Sequence, residues 1–169
     1  MIYKDMINVV KNIIDETDED SQVDVIIKQG INEAYRDLAK VDKRVKIAYV
    51  NIINGIAQIP IDCESVIKIT PELISTDKKM GNTIITTQTG TFTIIYSYYR
   101  DDLVNDNDEP DLVLELQDAL ITYACYTYYK YRKKPNEVSI YLSDYNNAKS
   151  EFSIRDEGTY NEQVRDIYE

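Results

Sequence analysis

From Asp111 to Phe152 the chain reads DLVLELQDALITYACYTYYKYRKKPNEVSIYLSDYNNAKSEF, and the spacing predicts a helical hairpin. The first arm, residues 112–133, carries Leu112, Val113, Leu114, Leu116, Ala119, Leu120, Ile121, Tyr123, Ala124, Tyr126, Tyr128, Tyr129 and Tyr131 around nearly its whole circumference. A helix that is apolar on most sides is either central in a bundle or shared between a core and a partner surface. Lys130, Arg132, Lys133 and Lys134 fall in its last turn, where cations oppose the helix dipole, and Pro135 breaks it. The second arm, about 136–155, has a narrower stripe of Val138, Tyr141, Leu142, Tyr145, Ala148 and Phe152, so it is expected to cover the first.

Outward from the hairpin, Ile7, Val10, Ile13 and Ile14 predict a short helix over 3–14. Val23, Ile26, Ile27, Ile31, Ala34, Tyr35 and Leu38 predict a second over 22–40, with Ser21 and Asp24 placed as its capping box. Gly30 within that stripe suggests a close helix contact. Between residues 45 and 98 the period falls to two. Asn54-Gly55 offers a type I′ turn between strands 45–51 and 56–61, and Thr89-Gly90 joins 83–88 to 91–98 as a second hairpin. The expected fold is α+β and mainly α: a helical bundle built on the C-terminal hairpin, with inserted β-hairpins. One domain over 1–155 is followed by a C-terminal docking arm over 156–169, where Tyr160, Val164, Ile167 and Tyr168 keep one-sided spacing.

Composition removes most catalytic readings. Among 169 residues there is no histidine, which excludes every triad, dyad or metal site that needs imidazole. The five glycines are too scattered for a P-loop or a dinucleotide fingerprint. Cys63 and Cys125 show neither disulfide nor zinc spacing, and Cys125 lies among apolar residues as a structural thiol would. The acids Asp101, Asp102, Asp106, Asp108, Glu109 and Asp111 could ligate Ca²⁺ or Mg²⁺ but miss the EF-hand pattern; a solvated loop leading to a helix N-terminus is the plainer reading. No enzyme and no cofactor are expected.

A net charge of −11 disfavours nucleic-acid reading and adsorption to anionic lipid. The basic run Lys130, Arg132, Lys133 and Lys134 instead offers a contact to an acidic protein surface, or simply a favourable helix end. Fifteen tyrosines against two phenylalanines suit surfaces that a partner covers, although a tyrosine-rich core would read the same. No apolar run reaches the roughly 18 residues a membrane helix needs, and the N-terminus lacks a cleavable signal pattern. A soluble protein made in the cytoplasm is expected.

In layout the chain resembles the small head–tail connector (neck adaptor) proteins of tailed bacteriophages. The resemblance is carried by Ile31-Asn32-Glu33-Ala34-Tyr35-Arg36-Asp37-Leu38, by Ile59-Pro60-Ile61-Asp62 with Val66-Ile67-Lys68-Ile69, and by Tyr98-Tyr99-Arg100-Asp101-Asp102-Leu103. That last stretch leads through Asp106-Asn107-Asp108-Glu109-Pro110-Asp111-Leu112 into the long helix. The resemblance implies a structural virion protein of the neck, assembled in the bacterial host as a homo-oligomeric, dodecameric ring. Its implied partners are the portal, the tail or a second adaptor, and passing double-stranded DNA that it does not bind specifically. It assigns Tyr126, Tyr129 and Tyr131 to the oligomer interface, and Tyr160, Val164, Ile167 and Tyr168 to docking on the portal or a neighbour. Asp101, Asp102, Asp106 and Asp108 become candidates for a channel lumen that does not hold DNA. The competing readings are a tail-completion protein, a generic acidic helical binding module, and a metal enzyme acting on phosphodiesters through Asp106, Asp108 and Asp111.

Overall fold

The computed structural model describes residues 1–15 and 21–166, the last twelve of them as backbone only. The described residues form helices α1 (Tyr3–Ile13), α2 (Ser21–Leu38), α3 (Leu114–Tyr131) and α4 (Pro135–Asp166). Between α2 and α3 come strands β1 (Val45–Asn51), β2 (Ile56–Gln58), β3 (Cys63–Thr70), β4 (Lys78–Met80), β5 (Thr83–Ile85) and β6 (Thr91–Tyr98). The chain divides into two compact units: a helical unit of residues 1–42 and 101–169, and a β unit of residues 43–100.

In the helical unit, α3 packs against α1, α2 and α4. Its apolar circumference is thereby used inside the unit, with Leu116, Ala119, Leu120, Ile121, Ala124, Cys125 and Tyr128 all buried. The stripe of α2 buries Val23, Ile27, Ile31, Ala34, Tyr35 and Leu38, as its three-and-four spacing requires. A Cβ built on Gly30 would lie 2.9 Å from Ala124 Cα and 2.9 Å from Thr127 Oγ1, so only glycine permits this approach of α2 to α3. The Asp24 carboxylate pairs with Lys11 of α1 at 2.5 Å.

The polar face of α2 ties down the rest of the unit. Asn32 Nδ2 donates to the Leu103 carbonyl at 3.0 Å while Asn32 Oδ1 accepts from the Leu103 N–H at 2.8 Å. Arg36 Nη1 donates to both carboxylate oxygens of Asp102, at 2.8 and 2.6 Å. Tyr35 Oη accepts from the Asp111 N–H at 3.0 Å. Asp37 Oδ2 accepts from Tyr145 Oη at 2.7 Å and Lys149 Nζ at 2.5 Å, both on α4.

Burial works to raise the Asp37 pKa, but the hydrogen bonds from Lys149 and Tyr145 and the nearby lysine charges outweigh it and leave the carboxyl below its ordinary value. A carboxylate held down in the folded state stabilises the fold above its unfolded-state pKa and loses that contribution as pH falls through the folded value. Asp37→Asn is therefore expected to lower stability at neutral pH by about 1 kcal/mol, discounted because a third of the carboxylate is exposed. It should also flatten the loss of stability below about pH 4, as read by denaturant midpoints across a pH series; an unchanged acid limb would refute the assignment.

The β unit corrects the expected architecture, which was a mainly α bundle with inserted β-hairpins. The mid-chain strands instead build two three-stranded antiparallel sheets, ordered β1-β6-β3 and β2-β5-β4. Asn54 and Gly55 do turn with φ of 54° and 78°, as a type I′ turn requires. Only the single bridge Ile53↔Ile56 flanks them before β1 and β2 part to different sheets. β1 pairs with β6 from Val45↔Ser97 to Asn51↔Thr91, across 40 to 52 residues. This register places Ala48 and Val50 beside Phe92, Ile94 and Tyr96 on one face, where Ala57 and Ile84 of the second sheet, with Ile59 just past β2, pack on them. Burying that face outweighs the local preference of two adjacent strands for each other. The expected hairpin across Gly90 is likewise absent, because β5 lies between β2 and β4. Asp62 closes the unit: Oδ2 accepts from Lys46 Nζ at 2.8 Å, Oδ1 from Tyr96 Oη at 3.1 Å, and its carbonyl from the Tyr99 N–H at 2.8 Å.

α4 runs on to Asp166, past the expected helix end at 155.

Candidate interaction surfaces

The acidic loop is engaged mainly in holding itself together. Asp108 Oδ2 accepts from the N–H groups of Val104 and Asn105, both at 2.7 Å, and these bonds hold its carboxyl below the usual range. The carbonyls of Asp106 and Asp108 accept from the Lys4 and Tyr3 N–H groups, which fixes the loop to the start of α1. Asp102 is committed to Arg36. Asp101 and Asp106 remain exposed. Among the described residues no three acidic or cysteine side chains are grouped to hold a metal ion.

The α3–α4 seam is a ladder of tyrosines. Tyr129 stacks on Tyr141 of α4 with centroids 5.3 Å apart and planes at 18°, and Tyr123 meets Tyr145 edge-on at 4.8 Å. Burial pushes the hydroxyls of Tyr123, Tyr129, Tyr141 and Tyr145 upward in pKa. Of the three tyrosines expected at an oligomer interface, Tyr129 spends its ring on α4 and Tyr126 is half-buried with its ring 5.1 Å from Tyr123. Tyr131 alone of the three is exposed, at 49 %, with its hydroxyl donating to Gln22 Oε1 at 3.2 Å. Much of the apolar circumference of α3 is thus taken up by α1, α2 and α4, while Leu114 and Tyr131 stay exposed.

Lys130, Arg132, Lys133 and Lys134 all stand exposed at the turn between α3 and α4. Lys133 sits in the left-handed region at φ 54°, and the Lys134 N–H reaches back to the Tyr129 carbonyl at 3.0 Å, so the turn is closed by backbone while its cations face outward. Lys130 Nζ lies 5.6 Å from the Tyr126 ring and the Arg132 guanidinium 5.7 Å from that of Tyr128. Tyr160 and Val164 belong to the part of α4 described as backbone only, and Ile167 and Tyr168 lie outside the described residues.

The surface missed in the sequence is on the β unit. Tyr49, Val50, Asn51, Ile53, Ile56 and Gln58 line an open groove, with Tyr49 exposed at 76 % and Ile53 at 67 %. A signal was present: β1 is apolar on both faces, with Ile47 and Tyr49 on one and Ala48 and Val50 on the other, which is more than a strand covered on one side needs. No helix among the described residues is long and apolar enough to cross a membrane. No protein-family model matches the chain, and no curated protein matches it.

Proposed function

We propose that this chain is a structural subunit of a tailed-phage neck, joining copies of itself into a ring between the portal and the tail. The observation that carries the reading is where its family-like stretches meet. Residues 31–38 and 98–112 lie far apart in sequence, yet Asn32, Tyr35 and Arg36 bind Leu103, Asp111 and Asp102, so the resembling residues form one structural knot. In this reading the exposed cations Lys130, Arg132, Lys133 and Lys134 meet an acidic surface of the portal or a neighbour. Asp101 and Asp106 are the acids left to face DNA, whose charge, about one per 1.7 Å of axis, they would repel rather than hold.

The test is to mix the purified chain with the portal protein of the genome that encodes it and image the product by electron microscopy. A closed collar of density on one end of the portal is the expected result. Portals that stay bare at saturating concentrations of the chain would overturn the proposal.

A further inference from the structure

The charge of this chain is divided unevenly between its units. The β unit, residues 43–100, has seven Lys and Arg against four Asp and Glu, a net charge of +3, whereas the helical unit has twelve against twenty-six, a net charge of −14. Apolar exposure is also uneven. Among the described residues, nine of the seventeen exposed large apolar side chains belong to the 58 residues of the β unit.

The two asymmetries coincide on the smaller sheet. Cross-strand rows Ile56↔Ile85↔Lys78 and Gln58↔Thr83↔Met80 share one face, and none of its three strands contains an acid. Ile56 joins this face to the groove that Tyr49 and Ile53 line. Lys78 and Lys79 occupy β4, an edge strand, where their charges discourage strand-to-strand addition. Apolar area bordered by cations fits a partner that is apolar and acidic. The helical unit has that character: Val104 and Leu114 are exposed at 74 % and 76 %, and Asp106, Glu115 and Asp118 are exposed near them in sequence.

We infer that the groove of Tyr49, Ile53 and Ile56, with the Lys78–Lys79 edge, seats on the acidic helical unit of a second copy of this chain. Charge decides the pairing, because two helical units at −14 repel each other whereas β unit and helical unit attract. A contact between unlike surfaces is heterologous, and it closes into a ring where the rotation between copies divides a full turn. The inference deepens the neck reading and rests on it for closure, but the contact itself needs no portal.

The chain is therefore tested alone. Isotope-labelled and unlabelled copies carrying a photo-crosslinking residue at position 53 are mixed at low salt, irradiated and mapped by mass spectrometry, so that only links between copies are scored. Links from position 53 to residues 1–42 or 101–169 of the other copy are expected; links confined to 43–100, or none, would overturn the inference. In sedimentation, raising salt from about 0.05 to 0.5 M is expected to weaken association about tenfold. Lys78→Glu with Lys79→Glu should do the same, and Asp106→Lys with Glu115→Lys in the other copy should restore it. Association indifferent to both would also overturn it. A portal that binds a chain with no self-contact would sink this inference and spare the neck reading; self-contact without portal binding would do the reverse.

Discussion

Replacing Gly30 with valine is expected to cost the helical unit more than about 3 kcal/mol and leave it largely unfolded under conditions where the natural chain is stable. The reason is geometric. The nearest obstacle to a Cβ at this position is the backbone of α3, Ala124 Cα at 2.9 Å, and it cannot swing aside as a side-chain end can. Thr127 Oγ1 lies equally near and is held by donating to the Tyr123 carbonyl at 3.0 Å. Valine adds two further methyl groups, so α2 must lift from α3 and uncover the packing of Ile27, Ile31 and Leu120. Overpacking of this kind typically costs about 1–3 kcal/mol for a few methylenes that side chains can accommodate, and here backbone must move. Alanine gains roughly 1 kcal/mol of helix propensity over glycine, so Gly30→Ala should fall between the two. Urea midpoints followed by far-UV circular dichroism give the ranking glycine, alanine, valine in falling order. A valine variant as stable as the parent would mean that the two helices do not approach as described.

The second large effect is expected in alkali. Burial pushes the Cys125 thiol from an ordinary 9.0 up to about 12 and the Tyr3 hydroxyl from 10.0 up to about 12. Both groups are neutral when protonated, and both keep their protons more tightly in the folded chain. Their contribution is complete below the unfolded-state values and is lost as pH rises through the window toward the folded ones. At about pH 11 the unfolded chain gains roughly 3 kcal/mol from ionising Cys125 and roughly 1 kcal/mol from Tyr3. That is an appreciable part of the 5–15 kcal/mol by which domains are usually stable. The seam tyrosines shift the same way and add to it. Helical dichroism and the share of tyrosinate absorbance that comes from the buried tyrosines should therefore change together in one cooperative step above about pH 10. Tyrosinate appearing gradually while the helices persist to pH 12 would show that these side chains are open to water.

The helices were legible in the sequence because their signals are local. The stripe of α2, the break at Pro135 and the glycine contact at 30 each follow from spacing or from one residue's stereochemistry. At residues 54 and 55 the turn was legible too, but the strand partners were not. Whether β1 pairs with β2 or with β6 depends on which register buries Ala48 and Val50, and that is decided by Phe92, Ile94 and Tyr96 some forty residues away. The packing of the α3 tyrosines was not legible for a different reason. A helix apolar all round has no preferred direction, so nothing in residues 112–133 tells which of Tyr126, Tyr129 and Tyr131 a neighbouring helix of the same chain will cover. The surface of the β unit went unread because its asymmetry appears only when charge is assigned by unit rather than by chain.

The order of the units along the chain also bears on synthesis. Val45 and Ser97 are paired partners, so the β unit begins and ends at neighbouring points and can fold as soon as residue 100 has emerged from the ribosome. The helical unit has no such freedom: α1 and α2 are made first, and must carry Ile27 and Ile31 through the translation of the whole insert before α3 exists to cover them. The nascent chain is for that interval a client for any factor that shields hydrophobic segments, and slow codons placed just before Leu114 would lengthen the exposure.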